Sequence, residues 1–420
     1  MKKYNVIVVG GGFAGVAAAI SAGRAGLRVL LAEKGAALGG AAANNLVNPF
    51  MPNDTRLETD GPEEPFQLSQ GLFIEIKQRL KAENAIDSND RVFHEEYLKL
   101  VLNRMAIESG VTLLFHAPLI GATATDGKVA SITVASKCGP IELTADYFVD
   151  ATGDADLAHF CGFPSQLGRE SDNLCQPMTL CFRLGNVDIA KFKASWSTIN
   201  EKYKKLQAEG KIKNIREDVL IFPNLCIGVL HFNSTRVVKR NPVDAFDITM
   251  AEVEAREQVF ELYKFLKENI DGFQNADLLF TAAEIGVRES RMIDGEYLLT
   301  GEDLVACKRF EDSIALGNYD IDIHNPEGSG TSHYYFPDGQ YYTIPYRSLI
   351  PKNSKNLLVA GRCISADHEA QASIRIMPIV CCLGEAAGTA LSIAAKSNSN
   401  VKDINISALQ DALTAQKAVY

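Results

Sequence analysis

The feature that most constrains this chain is a glycine-rich turn, Gly10-x-Gly12-x-x-Gly15, close to its start. An apolar run at 4–9, typical of a buried parallel strand, precedes the turn, and an Ala-rich helical segment at 16–25 follows it. In such a unit the first glycine permits the tight turn, the second lets a pyrophosphate approach, and the third lets helix and strand pack closely. The helix N-terminus then offers free N–H groups to the phosphates.

The next strand supports this interpretation and indicates which dinucleotide is bound. The apolar run at 27–32 ends at Glu33, whose carboxylate is placed to accept hydrogen bonds from ribose hydroxyls and to repel a 2′-phosphate. Further turns follow strands much later, at 151–156 and 358–362, and a Gly-Gly pair stands at 39–40. NAD does not need these additional turns, whereas FAD, with its ribityl chain and flavin ring, does.

The composition is that of a globular chain, because 46% of the 420 residues are hydrophobic and 22% are charged. Alternating strands at 118–145 predict a β-meander. From 166 onwards, short alternating strands and long amphipathic helices, at about 190–209 and 244–269, replace the parallel-strand pattern. We therefore predict an α/β fold, in which a Rossmann-like FAD-binding domain (central parallel sheet, helices and β-meander) comprises 1–165 and 345–420. An α+β substrate domain at 166–344 is inserted between these two parts.

Charge and cysteine content argue against several other classes of protein. A net charge of -10 and a pI of about 5.3 disfavour a nucleic-acid partner. No run of about 18 uncharged apolar residues occurs, which predicts that no segment spans a membrane. The nine cysteines are odd in number, widely spaced and without a CxxC pair. They predict free thiols in a reducing cytoplasm and no metal centre.

Segments in the last third of the chain carry a family resemblance. They are 286–291, 322–324, 344–349, 360–365, 373–378 and 384–388. Together with the glycine turns, they make nearly the whole chain resemble the FAD-dependent oxidoreductase family of glutathione-reductase-type flavoproteins. These proteins are distant kin of the fumarate reductase and succinate dehydrogenase flavoproteins. The resemblance specifies the cofactor far more closely than the reaction.

The resemblance also implies which residues bind FAD. Related flavoproteins place the start of the last long helix against the flavin, which here adds 375–377 to the glycine turns. Relatives usually carry an acid where this chain has Arg362, and Asp154 is a candidate cofactor-facing acid. Relatives with covalent FAD use a His near the Gly-Gly pair, and 41–45 contains none, so non-covalent FAD is expected. The expected FAD-binding residues are Gly10, Gly12, Phe13, Ala14, Gly15, Glu33, Lys34, Gly39, Gly40, Ala41, Gly153, Asp154, Gly361, Arg362, Arg375, Ile376 and Met377.

Candidate substrate-side groups are histidines, which transfer protons, and arginines, which bind carboxylates. One His lies between the late strand and the last long helix, and two flank the Gly-rich loop at 327–330. Internal ion pairs for the arginines and surface positions for the histidines are the alternatives. The candidates are His368, Arg375, Arg288, Arg347, His324 and His333.

We therefore expect a cytoplasmic FAD-dependent oxidoreductase that transfers a hydride between the flavin and a small polar substrate. A hydroxy acid, an enoate and a sugar all remain open as that substrate. A flavin monooxygenase or oxidase that uses oxygen, and a non-catalytic FAD-binding protein, are the alternatives. The sequence does not specify the electron partner, and a homodimer is the default assembly.

Overall fold

A computed structural model describes residues 4–56 and 65–420 of the chain. The first part contains β1 (Tyr4–Val9), α1 (Phe13–Arg24), β2 (Val29–Ala32), β3 (Asp54–Thr55), β4 (Phe66–Gln67), α2 (Leu72–Ala82), α3 (Glu95–Glu108), β5 (Thr112–Leu114), β6 (Leu119–Thr125), β7 (Lys128–Val134), β8 (Ile141–Leu143), β9 (Ala145–Asp150) and α4 (Asp156–Phe160). The middle part contains β10 (Ser165–Leu167), β11 (Phe182–Gly185), α5 (Ile189–Ser195), α6 (Ile199–Ala208), β12 (Ile221–Pro223), β13 (Leu230–Phe232), α7 (Ala245–Asn269), β14 (Asp277–Thr281), β15 (Arg291–Ile293), α8 (Gly301–Val305), β16 (Ser313–Gly317), β17 (Ile321–His324), β18 (Thr331–Tyr334) and β19 (Tyr342–Pro345). The chain ends with β20 (Leu357–Val359), α9 (His368–Ile374), α10 (Met377–Ser397) and α11 (Ile406–Ala415).

A five-stranded parallel sheet in the order β20-β9-β1-β2-β5 forms the centre of the larger core. Its strands are apolar and buried because helices and the β-meander cover both faces. Parallel strands bring their carboxyl ends to one edge of the sheet, so Gly10, Glu33, Ala151 and Gly361 follow strands at the same edge. The predicted β-α-β unit, the β-meander (β6-β7-β8) and the return of the late strand to this sheet are confirmed.

Close packing of α1 against α10 fixes where α10 begins. A Cβ added to Gly384 would lie 2.0 Å from the backbone oxygen of Ala14, and one added to Gly388 would lie 2.2 Å from that of Ala18. The two helices therefore run in the same direction with their backbones in contact. Helix α10 starts seven residues before Gly384. At 1.5 Å per residue, it extends about 10 Å towards the carboxyl edge of the sheet from that contact.

Helix α10 is also the most apolar long helix of the described residues. Met377–Ser397 is long and apolar enough to cross a membrane by composition alone, but 94% of its most apolar window is buried inside the protein. The helix carries Glu385 and packs on α1, α2 and α11. Its apolar character is thus explained by its central position in the core.

The middle of the chain contains a second hydrophobic core. Buried residues from Met178 to Ile285 pack around the antiparallel sheet β12-β13-β11-β14 and the long helix α7. Buried residues from Leu299 to Ile350 instead belong to the core that contains α1 and α10. The division of the chain at 166 and 344 stays a prediction.

The helix predicted at about 190–209 is interrupted. Helices α5 and α6 are separated by a 3-10 turn at Trp196–Thr198. The Oγ atom of Ser195 donates a hydrogen bond to the backbone oxygen of Lys191, and that of Thr198 donates to the backbone oxygen of Ser195. Such side-chain bonds compete with the regular helical ladder, which explains the break.

Glu385 is a buried carboxylate whose ionisation is linked to folding. Its Oε2 atom accepts a hydrogen bond from the backbone N–H of Leu72, at the start of α2, at 3.0 Å. Burial raises the pKa of Glu385 to about 7, although the bond from Leu72 acts in the opposite direction. Between about pH 4.5 and pH 7, the folded protein therefore binds more protons than the unfolded chain. The free energy of unfolding must then decrease as the pH rises through this window.

We expect Glu385→Gln to remove the free-energy cost of burying an ionised carboxylate, because the amide keeps an oxygen for Leu72 and carries no charge. At pH 8 the variant should exceed the wild type in unfolding free energy by about 2–4 kcal/mol, from about 1.4 kcal/mol per pKa unit. At pH 5 the gain should be much smaller. Urea unfolding at the two pH values measures both differences. An equal gain at pH 5 and pH 8 would contradict the linkage.

Candidate functional site

The glycines of the first turn differ in what a side chain would meet. Gly10 has a φ of +101°, and an added Cβ would lie 2.3 Å from the backbone oxygen of Ala151. A Cβ on Gly15 would lie 1.8 Å from the backbone oxygen of Gly10. Both glycines are therefore required by the packing of the protein itself. At Gly12 the nearest atom is the Cα of Gly40 at 3.9 Å, so this position borders open space.

That space lies between the start of α1 and the second glycine turn. Gly39 donates a backbone hydrogen bond to the oxygen of Gly11 at 2.8 Å, and a 3-10 turn continues at Gly40–Ala42. Helix α1 has no side-chain cap and no acidic residue in its first turn. Its first N–H groups therefore present an uncompensated positive dipole end to the space beside Gly12. A pyrophosphate group fits this arrangement, and Ala41 lies within the same turn.

Glu33 is buried at the edge of this space. Its Oε2 atom accepts a hydrogen bond from the backbone N–H of Gly11 at 2.5 Å, and its Oε1 atom accepts one from Gly35 at 2.7 Å. The two bonds orient the carboxylate, and each oxygen retains a lone pair for a ribose hydroxyl. Lys34 forms an ion pair with Glu284 at 2.9 Å on the surface.

The turns after β9 and β20 bring the side chains of Asp154 and Arg362 into contact. The Nη2 atom of Arg362 lies 2.6 Å from Oδ1 of Asp154, and the hydroxyl of Ser290 donates to the same oxygen at 2.6 Å. Burial opposes ionisation of Asp154, but the charge of Arg362 and the hydrogen bonds from Ser290 and Arg362 together lower the pKa of this carboxyl. Arg362 thus holds the carboxylate of Asp154 against the turn that follows β20.

These features together fit the cofactor expected from the sequence. The cradle beside Gly12 suits a pyrophosphate, Glu33 suits a ribose, and Asp154 suits the hydroxyls of a ribityl chain. Phe13 and Ala14 are buried, so they offer mainly backbone to this space, and Phe13 stacks edge-on against Phe50 with ring centroids 5.6 Å apart. The individual FAD contacts stay predictions.

Beyond the sheet edge, Arg375 joins a buried charged cluster. Its Nη2 atom lies 3.4 Å from Oδ2 of Asp322 and 3.2 Å from the backbone oxygen of that residue. The Nε2 atom of His324 lies 3.3 Å from the same Oδ2 atom. Burial alone would raise the pKa of Asp322, but the hydrogen bond from His324 and the charge of Arg375 lower it well below its usual value. The hydroxyl of Tyr319 also donates to this Oδ2 atom at 3.3 Å, so Asp322 is an anion shared by three partners.

His324 is neutral and locked in one tautomer. Burial, followed by the charge of Arg288, lowers the pKa of His324 to about 3. The Nη2 atom of Arg236 lies 3.3 Å from Nδ1 of His324. Since a guanidinium only donates, Nδ1 is the acceptor and Nε2 carries the proton that points to Asp322. Both ring nitrogens are thus engaged within the protein.

Arg288 adds a second cation to this cluster. Its Nη1 atom donates to the backbone oxygen of Pro177 at 2.7 Å and to the hydroxyl of Thr179 at 2.6 Å. Burial, followed by the neighbouring charge of Arg375, lowers the pKa of Arg288 to about 9. Arg375 pairs with Asp322, whereas Arg288 forms no ion pair with a carboxylate among the described residues, so its charge has no direct anionic partner.

Gln176 links the charged cluster to the start of α9. Its Oε1 atom lies 3.5 Å from Nη2 of Arg375 and accepts the backbone N–H of His324 at 3.3 Å. Its own backbone N–H donates to Oε2 of Glu289 at 2.8 Å, and Oε1 of Glu289 lies 2.7 Å from Nδ1 of His368. One connected network therefore contains His368, Arg375, Arg288 and His324, four of the six predicted substrate-side residues.

Sequence reasoning missed the members of this network that carry no charge or lie in irregular segments. Gln176 and Gln371 hydrogen-bond to each other at 3.1 Å, and Gln371 donates to the backbone oxygen of Arg288 at 2.8 Å. Glu289 lies in an irregular segment, and its contacts are to His368 and Gln176. No periodic pattern marks a lone glutamine, so local sequence offered no signal for them.

Of the remaining two predicted residues, Arg347 lies outside this network and His333 lies at its edge. Arg347 forms a two-bond ion pair with Asp312 at 3.0 and 3.2 Å, and about half of its side chain is exposed. The Nδ1 atom of His333 lies 2.5 Å from Asp320 and 3.7 Å from Asp322. These two carboxylates and His333 present three potential ligand atoms within 4.8 Å of one another, a grouping that the prediction of no metal centre did not anticipate.

Comparisons with known proteins identify the family of this fold and site. The family model described as FAD dependent oxidoreductase matches residues 5–413. A digeranylgeranylglycerophospholipid reductase of Thermoplasma volcanium is 25% identical over 205 residues, which span 45% of this chain and 48%, about half, of that protein.

A solved structure shows the same fold at low sequence identity. The flavin-dependent brominase Bmp2 has a TM-score of 0.50 and 12% identity, with 98% of this chain and 83% of that chain covered. A geranylgeranyl bacteriochlorophyll reductase-like protein of Thermoplasma acidophilum has a TM-score of 0.48 and 13% identity, with 99% and 84% covered. Because the family model spans nearly the whole chain, the protein is an FAD-dependent enzyme and belongs to the FAD dependent oxidoreductase family.

Proposed function

We propose that this enzyme transfers a hydride between FAD and a small substrate that carries a carboxylate. The observation that supports this proposal is the buried cluster in which Arg375 pairs with Asp322 while Arg288 hydrogen-bonds only neutral oxygens among the described residues. His324 adds no charge, because burial lowers its pKa to about 3. An anionic substrate group would compensate the surplus positive charge, and guanidiniums bind carboxylates with charge-assisted hydrogen bonds.

Among the substrates expected from the sequence, this charge favours a hydroxy acid or an enoate over a neutral sugar. A sugar offers hydroxyls but no charge, so it would leave a buried cation without a partner, which is costly. FAD supplies the two-electron chemistry when bound. The protein then has to hold the substrate at the two arginines, exclude water, and move a proton at a defined atom.

His368 is our candidate for that proton transfer. Its side chain is mostly buried, and its Nδ1 atom is engaged by Glu289 at 2.7 Å. Among the described residues, no hydrogen-bond partner contacts its Nε2 atom. His368 and Arg375 are seven residues apart, at the first residue and the C-cap of α9, so they lie on the same face of this helix. A carboxylate held by Arg375 would therefore place its reacting carbon on the side of His368.

Two further assignments belong to this proposal. The finer classification among glutathione-reductase-type flavoproteins, near fumarate reductase, is supported by the residues of the glycine turns and of 373–378. A cytoplasmic location is supported by nine free cysteines without a disulfide in the described residues.

Anaerobic absorbance of the FAD-loaded protein tests the substrate class. We expect hydroxy acids to bleach the flavin band in the reducing direction, or enoates to re-oxidise the dithionite-reduced flavin, whereas sugars do neither. Arg375→Gln should raise the half-saturating concentration of the carboxylate substrate about 10- to 100-fold, from about 1.5–3 kcal/mol for a hydrogen bond to a charged group.

Arg104→Gln is the matched control, because this arginine pairs with Glu83 on the surface. Its half-saturating concentration should equal that of the wild type. Bleaching by sugars but not by any carboxylate would contradict the proposal. Turnover with oxygen and an aromatic substrate would instead support the monooxygenase alternative.

A further inference from the structure

The His–Glu pair at the start of α9 defines which ring nitrogen of His368 carries a proton. We infer that Glu289 is a positioning residue that holds His368 with its proton on Nδ1, so that Nε2 is the proton acceptor of the reaction. This inference rests on the proposed function and deepens it, because it specifies the class of substrate. The substrate must have a hydroxyl proton to give.

Glu289 is fully buried, and both of its carboxylate oxygens are engaged. The Oε1 atom lies 2.7 Å from Nδ1 of His368, and Oε2 accepts the backbone N–H of Gln176 at 2.8 Å. A carboxylate can only accept hydrogen bonds, so the proton in the contact with His368 belongs to Nδ1. In the neutral ring, Nε2 then has a free lone pair.

Two other carboxylates act on His368 without contacting its ring nitrogens. Asp367 is the N-cap of α9 and accepts the backbone N–H groups of Ala370 and Gly301. Asp172 pairs with Arg169 on the surface and interacts with His368 only through its charge. Neither contacts the ring, so neither distinguishes Nδ1 from Nε2. The tautomer is therefore set by Glu289 alone among these three.

A neutral ring in this tautomer accepts a proton and does not donate one at Nε2. This geometry matches oxidation of a hydroxy acid: the hydroxyl proton moves to Nε2, and the C–H hydride moves to FAD. The carbon–oxygen single bond becomes a carbonyl, so a keto acid forms, the substrate loses two electrons, and the flavin gains them. Reduction of an enoate would instead start from a ring protonated on both nitrogens. A hydroxy acid is therefore the substrate that the neutral ring serves.

Glu289→Gln tests the tautomer directly, because Gln176 dictates how the new amide is oriented. The backbone N–H of Gln176 requires an acceptor, so the amide oxygen stays with Gln176 and the NH₂ group faces Nδ1 of His368. Nδ1 must then accept, and the proton moves to Nε2. The volume and burial of the side chain hardly change, which separates the effect on the proton from an effect on packing.

The measurement is ¹⁵N NMR of histidine-labelled, FAD-loaded protein, with His368 assigned from the signals lost in His368→Gln. We expect protonated Nδ1 and unprotonated Nε2 in the wild type, and the reverse in Glu289→Gln. The rate of flavin reduction by a hydroxy acid should fall about 1,000-fold or more, as when a triad aspartate is replaced by its amide. FAD content and the unfolding midpoint confirm that the variant is folded.

Glu385→Gln is the control, since it makes the same change at another buried glutamate, which lies on α10 and is hydrogen-bonded to Leu72. It should leave the reduction rate and the His368 signals unchanged. A proton on Nε2 in the wild type would overturn the inference even if Glu289→Gln did not fold. So would a Glu289→Gln variant with unchanged signals and an unchanged rate. If no carboxylate exchanges electrons with the flavin while the NMR signals are as expected, the proposed function fails and the role of Glu289 in setting the tautomer stands.

Discussion

His368→Gln is expected to slow reduction of the flavin by its substrate about 100- to 10,000-fold, the usual contribution of a positioned acid–base group. The reason is the free Nε2 atom of His368, which lies on the same helix face as Arg375. FAD content should be unchanged, because His368 contacts Glu289 and none of the glycine turns. Anaerobic stopped-flow absorbance measures the rate at saturating substrate, which separates proton transfer from substrate binding.

His159→Gln is the matched control, because His159 lies exposed on α4. Its reduction rate should equal that of the wild type. A full reduction rate in His368→Gln would remove His368 from the reaction. The buried cluster around Arg288 and Arg375 would then serve binding only.

Gly12→Ala is expected to weaken FAD binding while leaving the protein folded. An added Cβ meets no protein atom closer than 3.9 Å, and the backbone at Gly12 has a φ of −69°, which alanine adopts without strain. The methyl group instead occupies the space assigned to the pyrophosphate. Overpacking of this kind costs about 1–3 kcal/mol, so FAD should bind about 5- to 150-fold more weakly. Fluorescence titration of the FAD-free protein gives the dissociation constant.

Alanine variants of two other glycines serve as comparisons for Gly12→Ala. Gly121→Ala is the matched control, since a Cβ there meets nothing within 4 Å and the residue lies in the β-meander. It should bind FAD as the wild type does. Gly15→Ala should destabilise the protein itself, because its Cβ would lie 1.8 Å from the oxygen of Gly10. Unchanged FAD affinity in Gly12→Ala would show that the pyrophosphate lies elsewhere.

The sheet and its glycine turns were predictable because the signals that define them are local. A buried parallel strand is an apolar run, and a dinucleotide turn requires glycines at fixed offsets, so β1, α1 and β2 follow directly from the first part of the sequence. The break between α5 and α6 was not predicted, because the hydroxyl groups of Ser195 and Thr198 compete with helical bonds that periodicity alone does not weigh.

The substrate-side network was predictable only in its charged members. Histidines and arginines stand out in a sequence as candidates for proton transfer and carboxylate binding, and four of them meet. Which arginine lies outside the network depends on its ion-pair partner in the fold. Arg347 pairs with Asp312. Gln176 and Glu289 become important only because the fold brings residues 113 positions apart within 2.8 Å.

A crystal structure of the FAD-loaded protein with a bound hydroxy acid is the most direct test of the central claim. We expect the pyrophosphate beside Gly12 and the flavin ring facing the network of His368, Arg375 and Arg288. The substrate carboxylate should lie within hydrogen-bond distance of Arg375, and its hydroxyl about 3 Å from Nε2 of His368. A flavin ring or carboxylate that lies away from this network would contradict the assignment of the active site.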